Sequence, residues 1–201
     1  ARLYNTPLFL DSAKIDIITS NITLPLLLGQ PIGSGVAEAK EAPMTLADST
    51  AVIQVFGSLV SKSAGFGESG STSYSSLKAQ TLAAIEGGAS RIGFYVGSHG
   101  GEAGGLFGFT DFIASLPSLY GVSTFGFTDD YATSAAYAIL SATETSYATS
   151  SAIVGSIGAV MVLVDQTEKD SKDGVKYHVL RSKDEKALGN PHEEVTSEVL
   201  D

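Results

Sequence analysis

The stretch Tyr131-Ala132-Thr133-Ser134-Ala135-Ala136-Tyr137 places one serine where a Gly-containing apolar run gives way to an Ala-rich one. The residues before Ser134 predict a strand and a turn, and those after it predict a helix that continues to about Thr143. A helix start offers unpaired N–H groups and the positive end of a dipole, which favour the negative charge formed in acyl transfer. The junction therefore predicts an α/β protein with a nucleophile at Ser134.

Outward from this junction, short apolar runs alternate with helical patterns. Strands are predicted at Ala51 to Phe56, Arg91 to Val96, Val122 to Phe127, Ala159 to Val164 and Val175 to Leu180. Helices are predicted at Ser12 to Ile22, along the face Tyr74, Leu77, Thr81, Ala84 and Ile85, and from Leu106 to Ser115 with an end at Pro117. Alternating strands and helices predict parallel pairing through right-handed crossovers, with chemistry at the loops that leave the strands.

A second segment, Ser98-His99-Gly100-Gly101, follows one of these strands and is predicted to begin a Gly-rich turn that extends to Gly105. Its glycines allow the backbone to approach a substrate and to aim N–H groups at a carbonyl oxygen. The Ser- and Gly-rich stretch from Ser61 to Ser73 predicts a mobile loop, because it has little that packs in a core.

Composition narrows the class of protein. The chain of 201 residues has 12 Lys and Arg against 22 Asp and Glu, a net charge of −10, so it lacks the basic surface that binds nucleic acid. It has no cysteine, which excludes a thiolate nucleophile, a disulfide and a zinc–thiolate site. The apolar run from Ile22 to Gly29 is too short to span a bilayer.

A serine hydroxyl needs a base to remove its proton. None of the three histidines, His99, His178 and His192, is placed beside Ser134 by the sequence, so a lysine competes for the role. A lysine acts as a base when a dry pocket favours its uncharged form. Lys186 is followed by Ala187-Leu188-Gly189, which predicts such a setting.

Simpler interpretations exist for each residue. Ser134 is also a suitable helix cap, and Gly100 and Gly101 also suit a tight turn. Lys186 also suits a solvated surface.

Taken together and in order, six segments resemble the signal peptide peptidase A family of serine proteases, and within it the phage head-maturation (capsid assembly) proteases. They are AVIQVFGSLV, STSYSSLKAQ, GSHGGEAGGLFGF, DDYATSAAYAIL, AIVGSIGAVMVLVD and RSKDEKALGNP, and they extend from about Ala51 to Pro191. STSYSSLKAQ and GGEAGGLFGF are more similar to the phage members than to the membrane-anchored bacterial ones.

The resemblance implies a Ser/Lys dyad with Ser134 as nucleophile and Lys186 as general base, and Lys183 as the fallback. It implies an oxyanion hole made by the backbone N–H groups of Gly100, Gly101 and Ala135. The family has proline at the position of His99, and often an acidic residue at that of Gly97. No metal or cofactor is implied.

The resemblance also implies a fold, an assembly and a setting. The fold is a crotonase-like (ClpP-like) α/β spiral of repeated β-β-α units with a mostly parallel sheet, in a homo-oligomer whose dyad joins residues of one or two subunits. The implied domains are an arm and linker at 1–48, a catalytic domain at 49–191 and the start of a C-terminal linker at 192–201, with a scaffold segment removed. The implied substrates are scaffold and capsid-associated proteins, and its own C-terminal segment, inside the phage prohead in the host cytoplasm, without nucleic acid or membrane partners.

Two other functions suit the same fold. One is a crotonase-type acyl-CoA enzyme whose glycine turn holds a thioester enolate. The other is an inactive scaffold or capsid component. Both leave Ser134 and Lys186 without roles, so the peptidase is preferred.

Overall fold

The computed structural model describes residues 8–9, 44–46, 48–62, 70–183 and 185–200. One compact unit spans Leu8–Val160, and a second contains Met161–Asp201. The predicted helix at Ser12 to Ile22 and most of the predicted loop at Ser61 to Ser73 lie outside the described residues.

The larger unit is built on one connected sheet. Its described strands are named here in chain order. They are β1 (Leu8–Phe9), β2 (Met44–Leu46), β3 (Thr50–Val60), β4 (Ser71–Ser73), β5 (Arg91–Glu102), β6 (Ser123–Thr128), β7 (Tyr131–Thr133), β8 (Thr145–Ala148) and β9 (Ile153–Gly155). The main order is β2-β3-β5-β6-β8, with β7 beside β5 and β9 beside β7. The pairs of β3, β5, β6 and β8 are parallel, whereas β1 and β2 pair antiparallel to their neighbours.

Three helices pack on one face of this sheet: α1 (Tyr74–Glu86), α2 (Leu106–Tyr120) and α3 (Ala135–Ser141). Along β5 the residues alternate, so that Ile92, Phe94 and Val96 are fully buried while Tyr95 is only half-buried. This period of two places every second side chain against the helices. The core cluster joins these strand residues to Leu77, Leu116 and Ile139 of the helices.

The mostly parallel α/β sheet is confirmed, and it is consistent with the ClpP-like (crotonase-like) fold implied by the resemblance. The predicted strands at Ala51 to Phe56, Arg91 to Val96 and Val122 to Phe127 are present as β3, β5 and β6, and the predicted helical face around Leu77 is α1. Because β3, β5, β6 and β8 are parallel, their carboxyl ends lie at the same end of the sheet.

The first part of the predicted glycine turn, Ser98 to Glu102, is instead the end of a strand, and the turn is confined to residues 103–105. β5 continues through Ser98 to Glu102, because Gly100 and Gly101 pair with Ser58 and Leu59 of β3. A Cβ added at Gly101 would lie 1.9 Å from the backbone oxygen of Leu59. Glycine thus allows an unusually close strand approach rather than a reversal of the chain.

Other boundaries also differ from the prediction. Helix α2 continues past Pro117 to Tyr120, because Ile113 and Leu116 anchor its face in the core and Gly121 then ends it in a left-handed conformation. Ser71–Ser73, predicted as loop, forms β4 beside β3. The predicted strands at 159–164 and 175–180 are wrong, because neither described segment forms a strand. Their apolar side chains are largely exposed.

The smaller unit contains α4 (Thr167–Lys172) and α5 (Ser197–Leu200). His192 organises it, since its Nδ1 lies 2.8 Å from Asp170 Oδ2 and its ring stacks on Tyr177 with centroids 3.6 Å apart. Among the residues that the structure describes, no helix is both long and apolar enough to cross a bilayer.

Tyr74 gives a test of how α1 is fixed to the sheet. It is 3% exposed, and its hydroxyl donates to the backbone oxygen of Glu102 at 2.7 Å. Burial raises the pKa of Tyr74, with a smaller contribution from the Glu102 charge, so the folded state favours the neutral phenol. The stability from this group is therefore complete below a pH of about 10 and is lost as the pH rises above it.

We expect Tyr74→Phe to lower the free energy of unfolding by about 1 kcal/mol at neutral pH, through loss of the hydrogen bond. It should also make the alkaline loss of stability less steep. Urea unfolding at pH values from about 7 to about 11 checks both, with the exposed Tyr120→Phe as control. An alkaline slope unchanged by Tyr74→Phe would contradict this account.

Candidate active site

Ser134 lies at the sharp junction between β7 and α3. Its backbone has φ 58° and ψ −122°, a conformation that residues with a side chain rarely adopt. Its N–H donates to the oxygen of Gly155 in β9 at 2.7 Å, which fixes the junction from the neighbouring strand. A serine on a strained turn from strand to helix is the backbone arrangement of a nucleophile elbow.

The hydroxyl of Ser134 is buried and unpaired. The residue is 4% exposed, and among the described residues its Oγ has no hydrogen-bond partner. Ser134 occupies the N-cap position of α3, but in the described part of the chain its hydroxyl makes no capping bond to the helix. A buried polar atom without a partner is costly and requires an explanation, of which a catalytic role is one. Thr50 Oγ1 is another such atom among the described residues.

The end of β5 from Ser98 to Gly101, here called the glycine strand, lies beside this junction. Ser98 of β5 pairs in parallel with Ala132 of β7, and the hydroxyl of Thr133 donates to the backbone oxygen of His99 at 3.2 Å. Gly100 and Ser134 each follow two residues after the paired positions. The structure thus brings the predicted glycines and the predicted nucleophile to one end of two adjacent strands.

His99 departs from the family pattern and has a defined place. Its ring stacks on Tyr131 of β7, with centroids 4.1 Å apart and planes inclined by 27°. An imidazole here adds a further contact between β5 and β7, close to Gly100 and Ser134. The ring thus reinforces the pairing that aligns the two segments.

Lys186 lies in the smaller unit, in a turn where its N–H donates to the oxygen of Lys183 at 3.1 Å. Both lysines are exposed. The residue that follows, Ala187, has a φ of 68°, which marks a tight reversal. The assignment of Lys186 as base stays a prediction.

Residues 125–201 match the family model described as Peptidase family S49. The match supports the S49 family, that of signal peptide peptidase A. It indicates a serine peptidase, and the matched residues include Ser134, Lys183 and Lys186, whereas the glycine strand precedes them. No curated protein matches the chain.

Two contributors to this candidate site were not found from the sequence. Thr133 and Gly155 position the nucleophile through a side chain and a backbone oxygen, and hydrogen bonds of this kind leave no composition signal. The sequence contains only a partial indication of them: Thr133 lies in DDYATSAAYAIL, and Gly155 lies in AIVGSIGAVMVLVD, which follows it. Across the described chain, no three residues among His, Asp and Glu are grouped as metal ligands.

The strained backbone of Ser134 predicts a conflict between stability and activity. Ser134→Gly should raise the free energy of unfolding by about 1 kcal/mol, because glycine adopts a positive φ without steric cost, and it should abolish cleavage. Thermal unfolding and a proteolysis assay measure the two effects. Ser49→Gly is the matched control, since Ser49 has φ 60° and should gain stability with cleavage unchanged.

The close approach of Gly101 to the Leu59 backbone predicts that any side chain at position 101 lowers stability and activity. Gly101→Ala forces the Leu59 backbone to move, so we expect a loss of about 1–3 kcal/mol of stability and of most cleavage activity. Gly104→Ala is the control, because a Cβ at Gly104 has no heavy atom within 4 Å. Equal behaviour of the two variants in urea unfolding would refute the steric argument.

Proposed function

We infer that the chain is a serine endopeptidase with a Ser/Lys dyad, which cleaves scaffold and capsid-associated proteins during phage head maturation. The observation that supports it most is the buried, unpaired hydroxyl of Ser134 on a strained turn from strand to helix. The S49 match supports the peptidase class, and the resemblance of the six segments supports the phage branch. We place the activity inside the prohead, in the host cytoplasm.

The proposed reaction proceeds through an acyl-enzyme. Ser134 Oγ attacks the carbonyl carbon of the substrate while its proton passes to the uncharged amine of Lys186. Collapse of the tetrahedral intermediate breaks the C–N bond, and the Lys186 ammonium returns the proton to the leaving amine. A water molecule, deprotonated by the same amine, then hydrolyses the ester and restores Ser134.

The oxyanion donors in this proposal are backbone N–H groups of Gly101 and Ala135. Ala135 is the first residue of α3, where an N–H has no partner within the helix. Gly100 is the third predicted donor, but its N–H already donates to Ser98 Oγ at 3.0 Å. In this proposal the Gly100 N–H stays in that bond and sets the course of the backbone into Gly101.

The exposure of Lys186 bears on how the dyad is completed. An amine accepts a proton only in its uncharged form, which a water-excluding environment favours. Because Lys186 is exposed in the single chain, we propose that a neighbouring subunit or the bound substrate covers it. Exposed apolar side chains that support a homo-oligomer are Ile153, Val154, Ile157, Val160, Met161, Val162 and Val164.

Complementation between variants tests the dyad. Ser134→Ala and Lys186→Ala should each abolish cleavage of fluorescent casein and of candidate scaffold protein, without change in circular dichroism. If the dyad joins two subunits, mixing the two variants restores part of the activity, whereas a dyad within one chain stays inactive.

The control for this experiment is Lys176→Ala, an exposed lysine of the same unit that should cleave normally. Normal cleavage by Lys186→Ala would exclude Lys186 as base. If Lys183→Ala loses cleavage activity instead, Lys183 is the general base. Normal cleavage by Ser134→Ala would contradict the proposed function itself.

A further inference from the structure

Ser98 is a buried hydroxyl residue of the glycine strand to which no role is yet attached. It is 1% exposed. Its Oγ donates to the backbone oxygen of Gly57 in β3 at 2.6 Å and accepts the N–H of Gly100 at 3.0 Å. One side chain thus bonds both Gly57 of a neighbouring strand and Gly100 of its own strand.

An irregularity in the strand pairing explains why this side chain is needed. Phe56 pairs with Gly97 and Ser58 with Gly100, so β5 advances three residues where β3 advances two. The extra residue is a β-bulge, which interrupts the ladder of backbone hydrogen bonds. The Ser98 hydroxyl replaces the lost ladder contact by bonding the oxygen of Gly57 and the N–H of Gly100.

The bulge is also held from the side of the nucleophile. Thr133, the residue before Ser134, donates from its hydroxyl to the oxygen of His99 inside the bulge. Gly100, the residue directly after the bulge, has φ 106°, a conformation that only glycine adopts readily. The conformation of Gly100, and with it the course of the backbone into Gly101, is therefore set by hydrogen bonds of Ser98 and Thr133.

We propose that Ser98 is a positioning residue that holds the bulged glycine strand in the form that stabilises the oxyanion. This inference rests on the proposed function. Ser98 contacts no reacting atom; it fixes Gly100, and so the approach of Gly101 to the carbonyl oxygen of a substrate. A small displacement of an oxyanion donor costs about 10–1,000-fold in rate.

The test uses a fluorophosphonate probe on the full chain. Saturation kinetics give a maximal labelling rate, kinact, and a binding constant, KI, separately. We expect Ser98→Ala to lower kinact at least about ten-fold with KI nearly unchanged, because the donors act on the phosphonyl oxygen in the transition state. Ser98→Cys, similar in size and a weak donor, should recover part of the rate and serves if Ser98→Ala does not fold.

Thr81→Val is the matched control. Thr81 is also fully buried and also bonds a backbone oxygen, that of Leu77 at 2.8 Å, but within α1. It should lose stability with kinact unchanged. Amide hydrogen exchange at Gly100 adds a readout independent of labelling, and it should be faster in Ser98→Ala.

The outcomes separate this inference from the function on which it rests. If the wild type is labelled and Ser98→Ala has the same kinact, Ser98 has no positioning role. An equal fall in kinact in Thr81→Val would also overturn the inference, because the effect would then be general destabilisation. If the wild type is not labelled, the serine peptidase proposal fails; unchanged exchange at Gly100 in Ser98→Ala would then overturn the local claim as well.

Discussion

The backbone of Ser134 is the constraint on which the rest of the site depends. Strand β7 is paired on both sides, with β5 and with β9, and α3 buries Ala135, Ala136 and Ile139 immediately after the junction. Neither element can rotate to relieve the positive φ without losing these contacts. The strain at one residue is therefore maintained by the packing of the elements around it, as expected for a functional turn.

Much of the fold follows from local patterns in the sequence. The alternation of β3, α1, β5, α2 and β6 was predictable because each apolar run or helical face is complete within a few residues. Ser134 was predictable for the same reason, since the change from strand to helix occurs at that residue. The bond from its N–H to Gly155 of β9 joins distant segments, and a linear pattern does not contain that information.

The remaining features depend on pairing between distant segments. Ser98 to Glu102 was predicted as a turn because its glycines suit one, but the contact with Ser58 and Leu59 of β3 makes it a strand. Conversely, the residues at 175–180 have the composition of a strand but form none within the described part of the chain. Strand β8 has the polar sequence Thr-Ser-Tyr-Ala, and it forms because it pairs in parallel with β6. Partner strands, not composition, decide these cases.

The central claim is that the Ser134 hydroxyl is an active nucleophile, and peptide mapping of a serine-directed covalent label tests it most directly. The account predicts one fluorophosphonate adduct per chain, located on Ser134 among the many serines of the sequence. An acyl-CoA enzyme or an inactive capsid component would give no adduct there. Absence of the label, or its location on another residue, would contradict the account.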